Sequence, residues 1–139
     1  MAKKTAVIDG ANIAYAEKSK EGAPKVSNIL AVRAALEKMG YEPIVIVDAS
    51  LIYEIDDPQQ LEALMDQQVV RQVPAQTDAD YFIIETAENA DAIIVSNDEY
   101  EPYKRDHPWL EERRVPVMIV NGKAELYEPK LEQGRGADE

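Results

Sequence analysis

The chain has 139 residues, 45% of them apolar, which fits one domain with room for a real core. It has no cysteine and one histidine, which excludes a disulfide framework, a thiolate metal site, a cysteine nucleophile and a His-rich metal site. The net charge of -12 argues against coating nucleic acid through a broad basic surface, but not against an enzyme that grips a short stretch through metal ions and a few local cations.

The first strand is expected at residues 5–9, an apolar run ending in Asp9-Gly10-Ala11-Asn12. A loop punctuated at 22–24 leads to a helix over 27–39, with Ser27 as N-cap and Gly40 as the stop. Its apolar positions Ile29, Val32, Leu36 and Met39 recur at helical spacing. The second strand is expected at 43–48, and Asp57-Pro58 opens a second helix over 59–67. A short third strand over 69–73 stops at Pro74, and a third helix runs over 78–89 with Thr77 as N-cap. Residues 92–96 form the fourth strand, followed by a loop with Pro102 and Pro108 and a short helix over 109–113. The fifth strand is expected over 115–120, then an Asn121-Gly122 turn and an edge strand over 124–127. The domain is therefore placed at 1–127, with a polar tail over 128–139.

Alternating strands and helices argue for an α/β fold with a mostly parallel five-stranded sheet. No apolar run approaches the ~20 residues of a membrane helix. Residues 1–4 lead straight into a strand with no signal-peptide core, so a cytoplasmic protein without a membrane partner is expected.

Parallel crossovers are right-handed almost without exception. With helices on both faces, the chain winds one way from the first strand and then back, setting the fourth strand beside the first. The crevice between them is the switch point, where ligands bind in open α/β sheets. Asp9 and Asp98, from strand ends about 4.8 Å apart, would face each other there. Asp78 and Asp80, at a helix start on the same edge, and Asp48, after the second strand, would join them. Each acid alone is also explained as a turn or cap residue, Asp80 as part of a capping box with Thr77. Together they repel: at about 6 Å and an effective dielectric of about 20, one pair costs about 3 kcal/mol. Oxygen donors without His or Cys suit Mg²⁺ or Mn²⁺, which points to metal-assisted phosphodiester hydrolysis.

The segments VIDGAN (7–12), DADYFIIETA (78–87) and DAIIVSNDEY (91–100), with VPVMIVNGK (115–123), resemble the NYN ribonuclease family. The likeness is strongest to its Regnase-type branch, whose animal members carry a CCCH zinc finger, and it covers residues 5–121. The resemblance implies a PIN-like, three-layer α/β/α sandwich with Rossmann-like topology and Mg²⁺-dependent cleavage of single-stranded or loop RNA. It carries the family's motif aspartate and asparagine onto Asp9 and Asn12, its helix-start aspartate onto Asp80, and its Asn-Asp pair onto Asn97 and Asp98. The chain departs from the pattern of two adjacent helix-start aspartates, with Ala79 before Asp80 and the other acid at Asp78. It also lacks the zinc finger.

Chemistry and resemblance together assign Asp9 and Asp98 as primary metal ligands, direct or through water, with Asp80 completing the set. Asp78 and Asp48 are secondary candidates. Asn12 would hold a water of the ion or a phosphate oxygen, and Ser96 and Asn97 would contribute to substrate binding, Ser96 also by bonding an acid. Lys18, Lys20, Lys104 and Arg105 are the candidate phosphate contacts, while Tyr15, Tyr100, Tyr103 and Trp109 are candidate stacking residues. His107 is read as a loop residue without a catalytic role. The small size and short edge strand are compatible with a homodimer.

The alternative is a catalytically weak or inactive PIN-like domain that binds RNA or protein. A haloacid-dehalogenase-like phosphatase is disfavoured because Ala11 stands where a second strand-end aspartate is needed. A receiver domain is disfavoured because Pro74 follows the third strand.

Overall fold

In the computed structural model, which describes residues 3–127, the first apolar run becomes strand β1 (Lys4–Asp9). A five-residue helix, α1 (Gly10–Ala14), follows without a break. Then come α2 (Val26–Lys38), β2 (Tyr41–Val47), α3 (Pro58–Asp66), β3 (Val70–Gln72), α4 (Ala79–Ala90) and β4 (Ile93–Val95). The described residues close with α5 (Leu110–Arg113), β5 (Arg114–Val115), β6 (Val117–Val120) and β7 (Lys123–Leu126). Two 3₁₀ turns, Leu51–Tyr53 and Glu101–Tyr103, sit in the loops after β2 and β4. The tail expected from residue 128 lies outside the described residues.

The main sheet has the order β3-β2-β1-β4-β5, and every pairing in it is parallel. Alternate side chains of each strand enter opposite layers. On one face Ala6, Ile8, Val45, Val47 and Val95 pack with Ile29, Val32 and Leu36 of α2, Ile13 of α1 and Leu61 of α3. On the other, Val7, Ile46 and Ile94 pack with Ile83, Ile84 and Ala87 of α4 and Leu110 of α5. The result is the expected three-layer sandwich. Helices change face between β3 and β4, where the winding reverses, and this puts β4 beside β1.

Several local expectations are corrected. Lys25, not Ser27, occupies the N-cap of α2 and makes no side-chain cap. The Val26 N–H goes instead to Asp56 Oδ1 at 3.0 Å, a partner from the far loop that local sequence does not reveal. Asp78, not Thr77, caps α4, its Oδ1 accepting the N–H groups of Asp80 at 3.0 Å and Tyr81 at 3.4 Å. The Thr77–Asp80 capping box therefore does not form. The fifth strand breaks at Pro116, which has no N–H to give a ladder. Only Arg114 and Val115 join the main sheet, while β6 and β7 form a separate antiparallel hairpin about Asn121-Gly122. The expected stop at Gly40 holds: its φ of +91° is a left-handed conformation that ends α2 with little strain for glycine.

Helix α1 is the element the sequence reading lacks, since Asp9-Gly10 reads as a turn. It begins at Asp9, whose Oδ1 accepts the Asn12 N–H at 3.4 Å. Gly10 is required by packing: a Cβ there would lie 2.4 Å from Val47 Cγ1 and 3.0 Å from the Ile46 carbonyl oxygen. Gly10→Ala is expected to destabilise the fold by about 1–3 kcal/mol through overpacking. Urea unfolding should show a lower midpoint at unchanged slope.

Candidate active site

Strands β1 and β4 deliver their ends to the switch point, and the site is built on them. Asp9, the last residue of β1, is only 6% exposed. Its Oδ2 accepts two hydroxyl donors, Tyr100 Oη at 2.6 Å and Ser96 Oγ at 3.1 Å. The same two residues hold Asp98: the Asp98 N–H donates to Ser96 Oγ at 3.1 Å, and Asp98 Oδ1 accepts the Tyr100 N–H at 2.8 Å. One clamp thus sets both carboxylates, with Asp9 buried and Asp98 exposed at the rim.

Burial pushes the Asp9 carboxyl above its ordinary value, opposed by the Tyr100, Asn12 and Ser96 hydrogen bonds and helped by the Asp98 charge. Asp80, in the first turn of α4, is pushed up to about 6 by burial and then by the charges of Asp9, Asp98, Asp78 and Asp48. The five expected acids therefore share one electrostatic field. They do not form a compact cage: among the described residues, no three His, Cys, Asp or Glu side chains are grouped closely enough to hold a metal ion together. Carboxylates this far apart would share an ion partly through water, which the expectation for Asp9, Asp98 and Asp80 allows. The reason for their separation lies in the backbone, since Asp80 comes from a helix start and Asp98 from a loop folded back on Ser96. An all-oxygen donor set without His or Cys fits Mg²⁺ or Mn²⁺ held partly through water, because Mg²⁺ retains much of its hydration shell.

The secondary acids have structural duties. Asp78 caps α4 and accepts a hydrogen bond from the Tyr103 hydroxyl. Asp48 accepts the Leu51 N–H at 3.2 Å and the Ser50 hydroxyl at 3.0 Å, fixing the 3₁₀ turn after β2.

Asn12 Oδ1 accepts the Asn97 N–H at 2.9 Å, so this asparagine braces the β4 loop. The Asn97 side chain, expected to contribute to substrate binding, is engaged within the fold. Its Nδ2 donates to the Val117 carbonyl at 2.8 Å and its Oδ1 accepts the Val117 N–H at 2.9 Å, standing in for the ladder that Pro116 interrupts. Ser96 is fully buried, and its hydroxyl serves the two acids, bonding Asp9 and accepting the Asp98 N–H, rather than turning to the surface.

Tyr100 is corrected from a stacking residue to the clamp itself, at 1% exposure and with a left-handed backbone of φ 54°. The Tyr15 hydroxyl is engaged by Glu54, and Trp109 lies under the Arg113 guanidinium, 4.0 Å from its ring centroid. His107 Nδ1 lies 3.1 Å from the Tyr103 carbonyl oxygen and its Nε2 3.5 Å from Glu88, contacts that fit a structural loop residue.

The candidate cations lie on both flanks. Lys18 and Lys20 are exposed in a loop pinned by Asn28, whose Nδ2 donates to the carbonyls of Ala14 at 2.9 Å and Glu17 at 2.8 Å. Arg105 is exposed, and Lys104 is paired with Glu101 at 3.0 Å. Arg114, which sequence reasoning did not single out for this role, donates to the Ser96 carbonyl at 3.1 Å beneath the acids.

A pH dependence follows for the metal-free protein. Asp9 and Asp80 have folded values above their unfolded ones. Their contribution to stability is fully present below the unfolded value of 3.8 and is lost as pH rises through the folded value, about 6 for Asp80. In EDTA, Asp80→Asn is therefore expected to gain melting temperature relative to wild type as pH is raised across that window. A constant difference between the two melting curves at all pH values would contradict it.

Residues 2–139 match the family described as Zc3h12a-like Ribonuclease NYN domain. No curated protein matches the chain. Among solved structures it is similar to nuclear proteinaceous RNase P 2 (PRORP2) from A. thaliana, with a TM-score of 0.71, 20% identity, and coverage of 91% of this chain and 30% of that one. It is also similar to a structure of Arabidopsis thaliana nuclear protein-only RNase P 2 (PRORP2), with a TM-score of 0.71, 19% identity, and coverage of 90% and 30%. The chain thus spans less than a third of the length of those proteins, and at this identity the likeness is one of fold. Among the described residues no helix is long and apolar enough to cross a membrane.

Proposed function

The chain belongs to the Zc3h12a-like ribonuclease NYN domain family, and we propose that it is a divalent-metal-dependent endoribonuclease acting on single-stranded or loop RNA. The observation that carries this is the clamped pair Asp9 and Asp98 at the switch point, with Asp80 in the same field. A structural ion pair would not explain it, because burial and mutual repulsion raise two of these acids without a cationic partner among the described residues.

Asp9, Asp98 and Asp80 would hold the ion. When bound, Mg²⁺ or Mn²⁺ supplies an activated water and neutralises charge building on the phosphoryl group. The chain's own residues do the rest. Tyr100 and Ser96 fix the Asp9 carboxylate so that little reorganisation is needed when charge develops. Asn12 Nδ2 would orient a phosphate oxygen. Lys18, Lys20, Arg105 and Lys104, the last released from Glu101, would neutralise flanking phosphates. In-line attack of water on phosphorus breaks the bond to the 3′-oxygen and leaves a 5′-phosphate and a 3′-hydroxyl.

A second reading, an RNA- or protein-binding module with weak or no catalysis, is favoured by the absence of a three-acid group among the described residues. A circular single-stranded RNA separates the possibilities. Its linearisation in Mg²⁺ is the result expected of an endonuclease. Degradation of linear but not circular RNA would make the enzyme an exonuclease, and binding without cleavage of either would favour the module.

A further inference from the structure

We infer that a groove at the C-terminal ends of β2 and β3, beside the acid cluster, seats one unpaired nucleobase of the RNA, with Tyr53 as its stacking face. This rests on the ribonuclease reading above and adds a subsite to it.

The groove has a volume of about 330 Å³ and is lined by residues that include Asp48, Ser50, Tyr53, Pro74, Gln76 and Thr77. That is the lower end of the range for small-molecule sites, with room for a single planar base. Tyr53 is 88% exposed, a large ring with almost no packing. It is nevertheless held on a fixed support. Asp48 ties down the start of its 3₁₀ turn through Ser50 and Leu51, the Tyr53 N–H donates to the Ser50 carbonyl at 3.1 Å, and the Leu51 side chain is buried in the core. The opposite wall is also a closed turn, with the Thr77 N–H donating to the Pro74 carbonyl at 3.2 Å. A displayed aromatic on a rigid turn offers a stacking surface at little ordering cost.

Charge selects which part of a nucleotide can enter. Residues 48–68 carry six acids and no Lys or Arg, so a phosphate is repelled where a neutral base is not. Asp48, which lines the groove, also contributes to the field that raises Asp80, so the groove neighbours the proposed site of cleavage. An RNA strand would therefore keep its backbone toward the flanking cations and turn one base into the groove. Every base has a π-face, so stacking here tolerates sequence. Ser50, Gln76 and Thr77 supply the polar groups that would bias it.

The test uses short single-stranded RNAs labelled with a fluorophore, with Ca²⁺ replacing Mg²⁺, and reads binding by anisotropy. Each RNA carries one abasic position, scanned along the strand. Tyr53→Ala is expected to weaken binding of the intact RNA by about 5-fold or more, and Tyr53→Phe to bind as wild type does. One abasic position should weaken wild type by a similar factor and leave Tyr53→Ala unaffected. Wild-type affinity in Tyr53→Ala, or equal losses in both proteins at every abasic position, would overturn the inference. So would a Lys-rich peptide whose binding depends on Tyr53 while RNA binding does not, which would assign the groove to a protein partner. Cleavage in Mg²⁺ is scored in parallel. Cleavage without Tyr53 coupling removes the groove alone, and coupling without cleavage removes the nuclease reading alone.

Discussion

Asp9→Asn is expected to lose at least about 10²-fold in RNA cleavage, the scale of several kcal/mol of metal-assisted charge stabilisation, while melting at a higher temperature in EDTA at neutral pH. Both effects come from one location. The carboxylate sits in a desolvated site whose burial raises its proton affinity, so ionisation works against folding. Asparagine has nearly the same shape and no charge. Its oxygen can accept the Tyr100 and Ser96 hydroxyls, leaving its amide facing the Asn12 N–H, where the 3.4 Å cap is the weakest of the three bonds. Activity and stability should therefore move in opposite directions. Loss of activity with a lower melting temperature would mean that the variant fails by misfolding.

Tyr100→Phe is the second large effect, with an expected loss of about 10- to 100-fold in activity at low Mg²⁺, the usual cost of removing a partner that orients a metal-binding carboxylate. The ring is buried beside Leu110 and Ile94 in the α4 layer, so phenylalanine preserves the packing. What disappears is the 2.6 Å donor to Asp9 Oδ2. The backbone N–H that holds Asp98 remains. Asp9 then has greater freedom, and half-maximal cleavage should require more Mg²⁺ than in wild type. Tyr103→Phe provides the contrast, because its hydroxyl reaches the exposed Asp78 rather than Asp9. Equal Mg²⁺ requirements in wild type and Tyr100→Phe would show that the hydroxyl only fills space.

The strand order and the site edge were legible because two physical regularities act over whole elements. Apolar runs such as 6–8 and 92–95 announce buried parallel strands, and crossover handedness then puts β4 beside β1. The same regularities place Asp9 at the end of β1, Asp80 in the first turn of α4 and Asp98 in the loop after β4, near one sheet edge. What escaped depends on partners distant in the chain. Helix α1 is short and starts with glycine, a poor helix former, and is held by the Asp9 cap and by contact with β2. Asn97 has the composition of a ligand, yet Pro116 breaks the fifth strand and Val117 claims both ends of its amide. Pro116 was itself a readable signal for that break. Tyr100 was not readable: nothing in Asn-Asp-Glu-Tyr shows that a left-handed turn swings the ring inward to meet an acid from β1.

The most direct measurement is a time course of purified protein on end-labelled single-stranded RNA in Mg²⁺, Mn²⁺ or EDTA, alongside Asp9→Asn. The account predicts cleavage with either ion, none in EDTA, and loss in the variant, with products bearing a 5′-phosphate. Cleavage that persists in EDTA or in Asp9→Asn would contradict a metal-dependent site centred on Asp9, and no cleavage under any ion would leave a binding domain built on a nuclease fold.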